Sequence, residues 1–354
     1  MKRLENIIAI SDLWETLKGK RCFCFGAGKM LTEICSDIPA LPEHINGIID
    51  NNPALHYTEK EIGSKRIKVY PVDILLTEDL SETVLLITSS YRDEIVAQLE
   101  RMEMPAGLEY TDFQEILDTA AWSCACPPDG FQKNKAEAIP RKIHYFWFSG
   151  NAVPQRLQRY IDGWKKLCPD FEMVLWNERN YDVSKNAYMK AAYENKRWGF
   201  VSDYARLDVI YRHGGIYMDT DVEMIRRPDE LLFNDAYIGF ERLSTVNTGS
   251  GFGARPGFPI IKELLDFYDE LEFVNKEDPE QMTLCPIYET AVLKRHGLKL
   301  DGNFQIIDDM SVYPVMYFNA KSLYSDRLRI TEETISVHHC TWTWAGEKSK
   351  IKEI

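Results

Sequence analysis

Nowhere does the 354-residue chain hold a run approaching the ~18 uninterrupted apolar residues that a membrane-spanning helix needs. The opening MKRLENIIAI is broken by charge too early for the apolar core of a signal peptide. The expectation is therefore a cytoplasmic protein, with peripheral association at the inner face of the membrane left open. Positive charge is also short, since 42 Lys and Arg stand against 55 Asp and Glu for a formal net charge of −13. Nucleic-acid affinity depends on cations neutralising phosphates, so no nucleic-acid partner is expected. Cysteine never falls into C-x-x-C spacing. Cys22, Cys24, Cys35, Cys124, Cys126, Cys168, Cys285 and Cys340 make two C-x-C pairs and four singles, which read as reduced thiols rather than a zinc or redox centre. Internal repeats and low-complexity segments are missing too.

With 45% hydrophobic and 12% aromatic residues, the chain can fill one large core or two ordinary ones. RCFCFGAGKM reads as a buried strand, Arg21 to Phe25, running through a Gly26-x-Gly28 turn into a helix over Met30 to Cys35. INGIIDNN is a second strand ending at Asp50, the distance at which a nucleotide-binding βαβ unit places its ribose acid. VLLITSS is a third, and the helical RDEIVAQLERM follows it. Strand–helix alternation predicts an open parallel sheet. Gly26, Gly28 and Asp50 then form a candidate nucleotide site, although Leu31 stands where the dinucleotide fingerprint wants its third glycine. The same turn serves equally to permit a tight strand-to-helix corner.

The pattern decays at CPPDGFQKNKAEA, which reads as a linker. Three segments result: an α/β domain over 1–125, a linker over 126–138, and a second α/β domain over 139–354. The second restarts with the aromatic strand KIHYFWF, a helix carrying Leu157, Tyr160, Ile161 and Trp164, and the strand FEMVLW. SDYARLDVIYRHGG predicts a helix with Ser202 as N-cap, Asp203 in its first turn and Gly214 at its C-terminal end. Asp203 and Arg206 are i, i+3 neighbours there, which suits either an ordinary surface pair or a functional one. GGIYM follows as a short strand, and in extended chain Asp219 and Asp221 would point the same way. Paired carboxylates suit Mg²⁺ or Mn²⁺ bridged to phosphate oxygens; an acidic turn gives the same letters.

FVSDYARLDVIYRHGGIYMDTDVE, IPRKIHYFWF and WKKLCPDFEMVLWNE together resemble glycosyltransferase family 32, the group with an Asp-x-Asp sugar-binding region. More distantly they resemble the catalytic domains of large clostridial glucosylating toxins. The resemblance covers about residues 139 to 250 and returns at SVHHCTWTW. It implies a GT-A type domain behind a Rossmann-like one, a nucleotide-sugar donor, Mn²⁺ or Mg²⁺, and retention of anomeric configuration. Carried over, Trp147 matches the aromatic that stacks on the base. Ser202, Asp203 and Arg206 match the residues that hold the donor sugar and its phosphate, Tyr217, Asp219 and Asp221 match the metal and diphosphate site, and Asn247 matches a donor-proximal asparagine.

Late in the chain, either His338 or His339 would complete the metal shell, because neighbours alternate across a strand. Trp342 or Trp344 would close over the donor phosphates. The expected function is a hexosyl transfer from a nucleotide sugar, UDP-linked by resemblance, to a glycan or lipid-linked glycan acceptor in bacterial surface polysaccharide synthesis. The acceptor would be read by the segment from about Phe258 to Ser325. Two alternatives stand beside it. One is a toxin-like protein glycosyltransferase; the other is an NAD- or nucleotide-binding oxidoreductase or sensor acting through Gly26 and Gly28.

Overall fold

The computed structural model describes residues 1–341 apart from 5, 6, 8, 78, 79, 81, 103, 105, 106 and 277–281. The chain forms two compact units. One comprises Met1–Ser123 with Ser322–Asp326, and the other Cys124–Lys321 with the chain from Arg327 onward.

In the first unit the strands are β1 (Lys2–Arg3), β2 (Arg21–Phe25), β3 (Ile45–Ile49), β4 (Glu59–Ile62), β5 (Lys65–Tyr70), β6 (Thr83–Ile87) and β7 (Glu109–Asp112). They form a sheet in the order β1-β7-β6-β2-β3-β5-β4. Every neighbouring pair is parallel except β4 and β5. TVLLI of β6 is buried at every position, as expected of a strand covered on both faces. The expected α/β architecture is present. Gly26 is required at its corner: its φ is +117°, and a Cβ there would sit 2.9 Å from the Thr88 carbonyl oxygen.

Strands of the second unit are β8 (Lys142–Phe146), β9 (Glu172–Trp176), β10 (Gly215–Tyr217), β11 (Val222–Met224), β12 (Ala236–Phe240), β13 (Val246–Asn247), β14 (Phe252–Ala254), β15 (Gln305–Ile307), β16 (Met310–Tyr313) and β17 (Ser336–His338). The main sheet runs β15-β16-β12-β14-β10-β8-β9, with β13 on β12, while β11 and β17 make a separate ribbon. β9, β8 and β10 are parallel, and β14 lies antiparallel between β10 and β12. This mixed sheet gives the second unit the expected α/β class.

Residues 126–138 differ from the expected linker. The amides of Asn134 and Ala138 donate to the carbonyls of Phe233 and Leu232, and Lys133 Nζ reaches Asp235 and Asp309, both at 2.7 Å. A stretch without an apolar stripe has no core face to announce it, and here hydrogen bonds hold it to the second unit instead.

The helix before the Asp-x-Asp also differs from expectation, since it spans Trp198–His213 with Arg197 at its N-cap. Ser202 is a helix-interior residue, its hydroxyl donating to the Gly199 carbonyl at 2.6 Å. Phe200 through Ile210 are all buried, so Asp203 and Arg206 are not a surface pair. The Gln155–Leu167 helix buries Leu157, Ile161 and Trp164, and the Trp164 indole N–H donates to the Val222 carbonyl at 2.9 Å. That bond ties the helix to the strand that follows the two aspartates.

Candidate active site

Gly214 and Gly215 bring the chain from helix to β10 with φ of +61° and +107°, in the region that favours glycine. β10 then runs parallel to β8, Tyr217 opposite His144, so Asp219 and Trp147 both follow strands at the same carboxyl edge of the sheet. Asp219 is held by its amide donating to the Gly249 carbonyl at 3.1 Å, and its own carbonyl accepts from Val222 at 3.1 Å. Asp219 to Val222 is thus a turn, not extended chain. The carboxylates converge because the backbone folds back, rather than by strand alternation.

Asp219, Asp221 and His338 each offer a ligand atom, all within 4.8 Å of one another. The β11–β17 register sets Val222 against His338 and delivers the imidazole Nε2 to 3.3 Å from Asp221 Oδ1. Ser250 Oγ donates to Asn319 Oδ1 at 2.9 Å, so its oxygen is free to accept from His338 Nδ1–H at 3.3 Å. That leaves Nε2 facing a carboxylate, a contact that requires a proton or a cation between them. Burial opposes charge on His338, yet Cys340 and Asp221 raise its pKa well above the usual imidazole value. Burial likewise opposes the Asp221 charge, and His338 with the Thr341 hydrogen bonds holds its carboxyl well below the usual range. Thr341 supplies both its amide, at 2.7 Å, and its hydroxyl, at 2.9 Å, to Asp221 Oδ2. The donor set of two carboxylates and one imidazole fits Mn²⁺ or Mg²⁺. His339 points elsewhere: its Nε2 meets Glu223 at 2.9 Å and its ring stacks on Tyr160. Of the two candidate histidines, His338 joins the carboxylates and His339 does not.

Arg206, 3% exposed, lies behind this trio. Its guanidinium donates to Asp203 Oδ1 and to the Ser202 carbonyl, approaches Asp219 Oδ2 at 3.8 Å and sits 5.1 Å over the Tyr217 ring. The Tyr217 hydroxyl donates to Asp219 Oδ1. Burial pushes the Asp203 carboxyl up to about 6 against the pull of Arg206, with Asp219 adding to the rise.

Asn247 lies in β13; its amide nitrogen donates to Glu241 at 2.7 Å and its oxygen accepts the Gly249 amide at 2.6 Å. Gly249 packs so closely that a Cβ would fall 2.4 Å from Asp219 Oδ2 and 3.0 Å from Arg206 Nη1. Glu289, 0% exposed, accepts the amide of Thr248 at 2.9 Å and its hydroxyl as well. Burial pushes the Glu289 carboxyl up to about 7, opposed by Arg206 and the Thr248 bonds. Gly249, Glu289 and Thr341 were not found by sequence reasoning. Glu289 is far from any motif, Thr341 sits within SVHHCTWTW but is overshadowed there by the histidines and tryptophans, and the glycine in NTGSG gives no sign of which side chain it admits.

Trp147 is half-buried, its indole N–H donating to the Asn151 carbonyl at 2.9 Å. Trp342 and Trp344 lie outside the described residues. In the first unit, Gly28 caps the Lys29–Asp37 helix, and both Asp50 carboxylate oxygens accept backbone amides, Ala27 at 2.7 Å and Asn52 at 2.8 Å. Asp50 therefore fastens the glycine turn to the end of β3, an engagement that competes with a ribose contact.

Residues 154–238 match the family model described as the glycosyltransferase sugar-binding region containing DXD motif, a span that includes Asp203, Arg206, Asp219 and Asp221. An uncharacterized glycosyltransferase of Acanthamoeba polyphaga mimivirus is 23% identical over 196 residues, covering 52% of this chain and 76% of that protein. Inositol phosphoceramide mannosyltransferase 3 of Schizosaccharomyces pombe is 30% identical over 136 residues, 37% of this chain and 38% of that one. Among solved structures, the PaToxG glycosyltransferase aligns with 17% identity and a TM-score of 0.38, over 58% of this chain and 80% of its own.

Proposed function

We propose, from the premise that residues 154–238 carry the DXD-containing sugar-binding region of glycosyltransferases, that the protein is a metal-dependent, retaining hexosyltransferase using a nucleotide-sugar donor. Residues 139–354 are its GT-A type catalytic domain and residues 1–125 an appended Rossmann-like domain. The observation that carries this reading is the convergence of Asp219, Asp221 and His338 beside the buried cation Arg206. Transfer breaks the bond between the anomeric carbon and the donor phosphate, and the electron pair leaves with the diphosphate. An acceptor hydroxyl forms the new bond to that carbon and gives up its proton to the departing diphosphate or to water. Mn²⁺ or Mg²⁺, when bound, supplies Lewis-acid stabilisation of the leaving diphosphate. Asp219, Asp221 and His338 would hold it. Arg206 adds a fixed positive charge where negative charge grows, and its burial strengthens that effect. Asp203 and the Ser202 carbonyl fix the guanidinium, and Tyr217 orients the Asp219 carboxylate. Trp147, at the same sheet edge as Asp219, would stack on the base, with a uridine as the expected one. Asn247 shapes the loop against Asp219. We assign no covalent nucleophile to the retaining step.

The acceptor we propose is a glycan or lipid-linked glycan of bacterial surface polysaccharide synthesis, made on the cytoplasmic side of the membrane. The name of the fission-yeast relative, with a ceramide-based acceptor, supports a lipid-linked one. No helix among the described residues is long and apolar enough to cross a membrane. The engagement of Asp50 by Ala27 and Asn52 weighs against an oxidoreductase centred on Gly26 and Gly28.

The test is a thermal-shift and hydrolysis screen of UDP-, GDP-, ADP- and CMP-sugars with Mn²⁺, Mg²⁺ or EDTA, and with NAD(H) alongside. A shift with one sugar nucleotide that needs the dication is expected. Asp219→Asn or Asp221→Asn should lower transfer by orders of magnitude with the fold intact, read by turnover and circular dichroism. A shift with NAD(H) alone, or wild-type turnover in either variant, would overturn the reading.

A further inference from the structure

The Cys285–Arg295 helix lies in a stretch with no recognisable motif, yet it buries a carboxylate completely behind the site. Such burial is costly unless the group is well paired. Glu289 is paired at both oxygens, to the amide and the hydroxyl of Thr248. Next to it, the Thr290 hydroxyl accepts the Val246 amide at 3.1 Å, so two consecutive helix residues hold the backbone from Val246 to Thr248. Immediately beyond comes Gly249, whose carbonyl takes the Asp219 amide and whose Cα has no room for a methyl beside Asp219 Oδ2. The Thr248 hydroxyl is also 3.5 Å from Arg206 Nη1. A shift in this loop would therefore move Asp219 and Arg206 together.

We propose that Glu289 is a positioning residue for the metal and the donor diphosphate, clamping the Thr248–Gly249 loop so that Asp219 and Arg206 hold their places. This inference rests on the metal-dependent reading above. It goes beyond that reading by assigning the task to a helix outside the matched sugar-binding region. The charge of the site agrees: the carboxylates of Asp203, Asp219 and Asp221 gather about the guanidinium of Arg206, an acidic surplus that a dication offsets.

The experiment measures Mn²⁺ alone, titrated into the full chain and followed by loss of the free-ion electron paramagnetic resonance signal, with melting temperature recorded for each variant. Wild type should bind and Asp221→Asn should not; absence of binding to wild type would sink the metal reading and this proposal with it. Glu289→Ala should weaken Mn²⁺ binding by about 10- to 100-fold, the usual scale for groups that orient ligands. Glu289→Gln, which can still accept the Thr248 amide, should recover part of that loss. A folded Glu289→Ala protein with wild-type Mn²⁺ affinity, whatever its melting temperature, would show a merely structural role and overturn the proposal. Should Glu289→Ala fail to fold, Glu289→Gln and Thr248→Val take its place, and wild-type affinity in both would overturn the proposal equally.

Discussion

A single methyl group should be enough to spoil the site. Gly249→Ala would put a Cβ 2.4 Å from Asp219 Oδ2 and 2.9 Å from Asn247 Oδ1, closer than real contacts allow. The carboxylate has room to swing and the backbone has less, so the expected result is at least ~10-fold weaker Mn²⁺ binding with only a small fall in melting temperature. Calorimetric titration beside a thermal melt would separate the two. Glu289 gives a second residue-scale expectation. Its carboxyl rises from the ordinary 4.5 to about 7 because burial disfavours charge, so the folded chain keeps this proton longer than the unfolded one. Stability from that proton is present below the unfolded value and lost as pH rises through the folded one. The melting-temperature advantage of wild type over Glu289→Gln should therefore shrink between about pH 4.5 and pH 7 in EDTA; an advantage that grows across that window would contradict the burial effect.

Elements explain which parts of the site could be read in advance. His338, the last residue of β17, turns toward Asp221, while His339 just past the strand turns the other way, to Glu223 and Tyr160. His338→Ala should weaken Mn²⁺ binding about 10-fold or more, and His339→Ala should leave it within about twofold, measured by the same titration. The sequence showed that at most one histidine could face the carboxylates, because period-2 geometry is local. Which one it is depends on the pairing of β11 with β17, a contact 116 residues apart at Glu223 and His339 that no local pattern records. The strands β2, β3, β6, β8 and β9 were legible as continuous apolar or aromatic runs. The start of the Trp198–His213 helix was not, since Ser202 carries the signature of a cap yet bonds backward to Gly199 from inside the helix. The convergence of Asp219 and Asp221 was anticipated for the wrong reason, a strand where the chain makes a turn.

At the scale of the molecule, charge is the dominant property. A net charge of −13 opposes association with any polyanion, and under the proposed function the phosphates of a nucleotide sugar would be admitted only where Arg206 and a dication answer them. Duplex DNA at physiological salt should therefore show no submicromolar binding in an anisotropy titration, and such binding would contradict the electrostatic argument. Bulk composition alone argues against that class of partner. It carries no sign that residues 126–138 fasten onto Leu232, Phe233 and Asp235, because hydrogen bonds leave no trace in hydropathy.

The Thr341 clasp on Asp221 also has a consequence in time. The two residues are 120 positions apart, and at about 5–20 residues per second a ribosome needs on the order of 6 to 24 seconds to pass from one to the other. Throughout that interval the growing chain carries Asp219 and Asp221 without His338 or the clasp. Synthesis itself thus withholds the assembled site until nearly all of the second unit has been made.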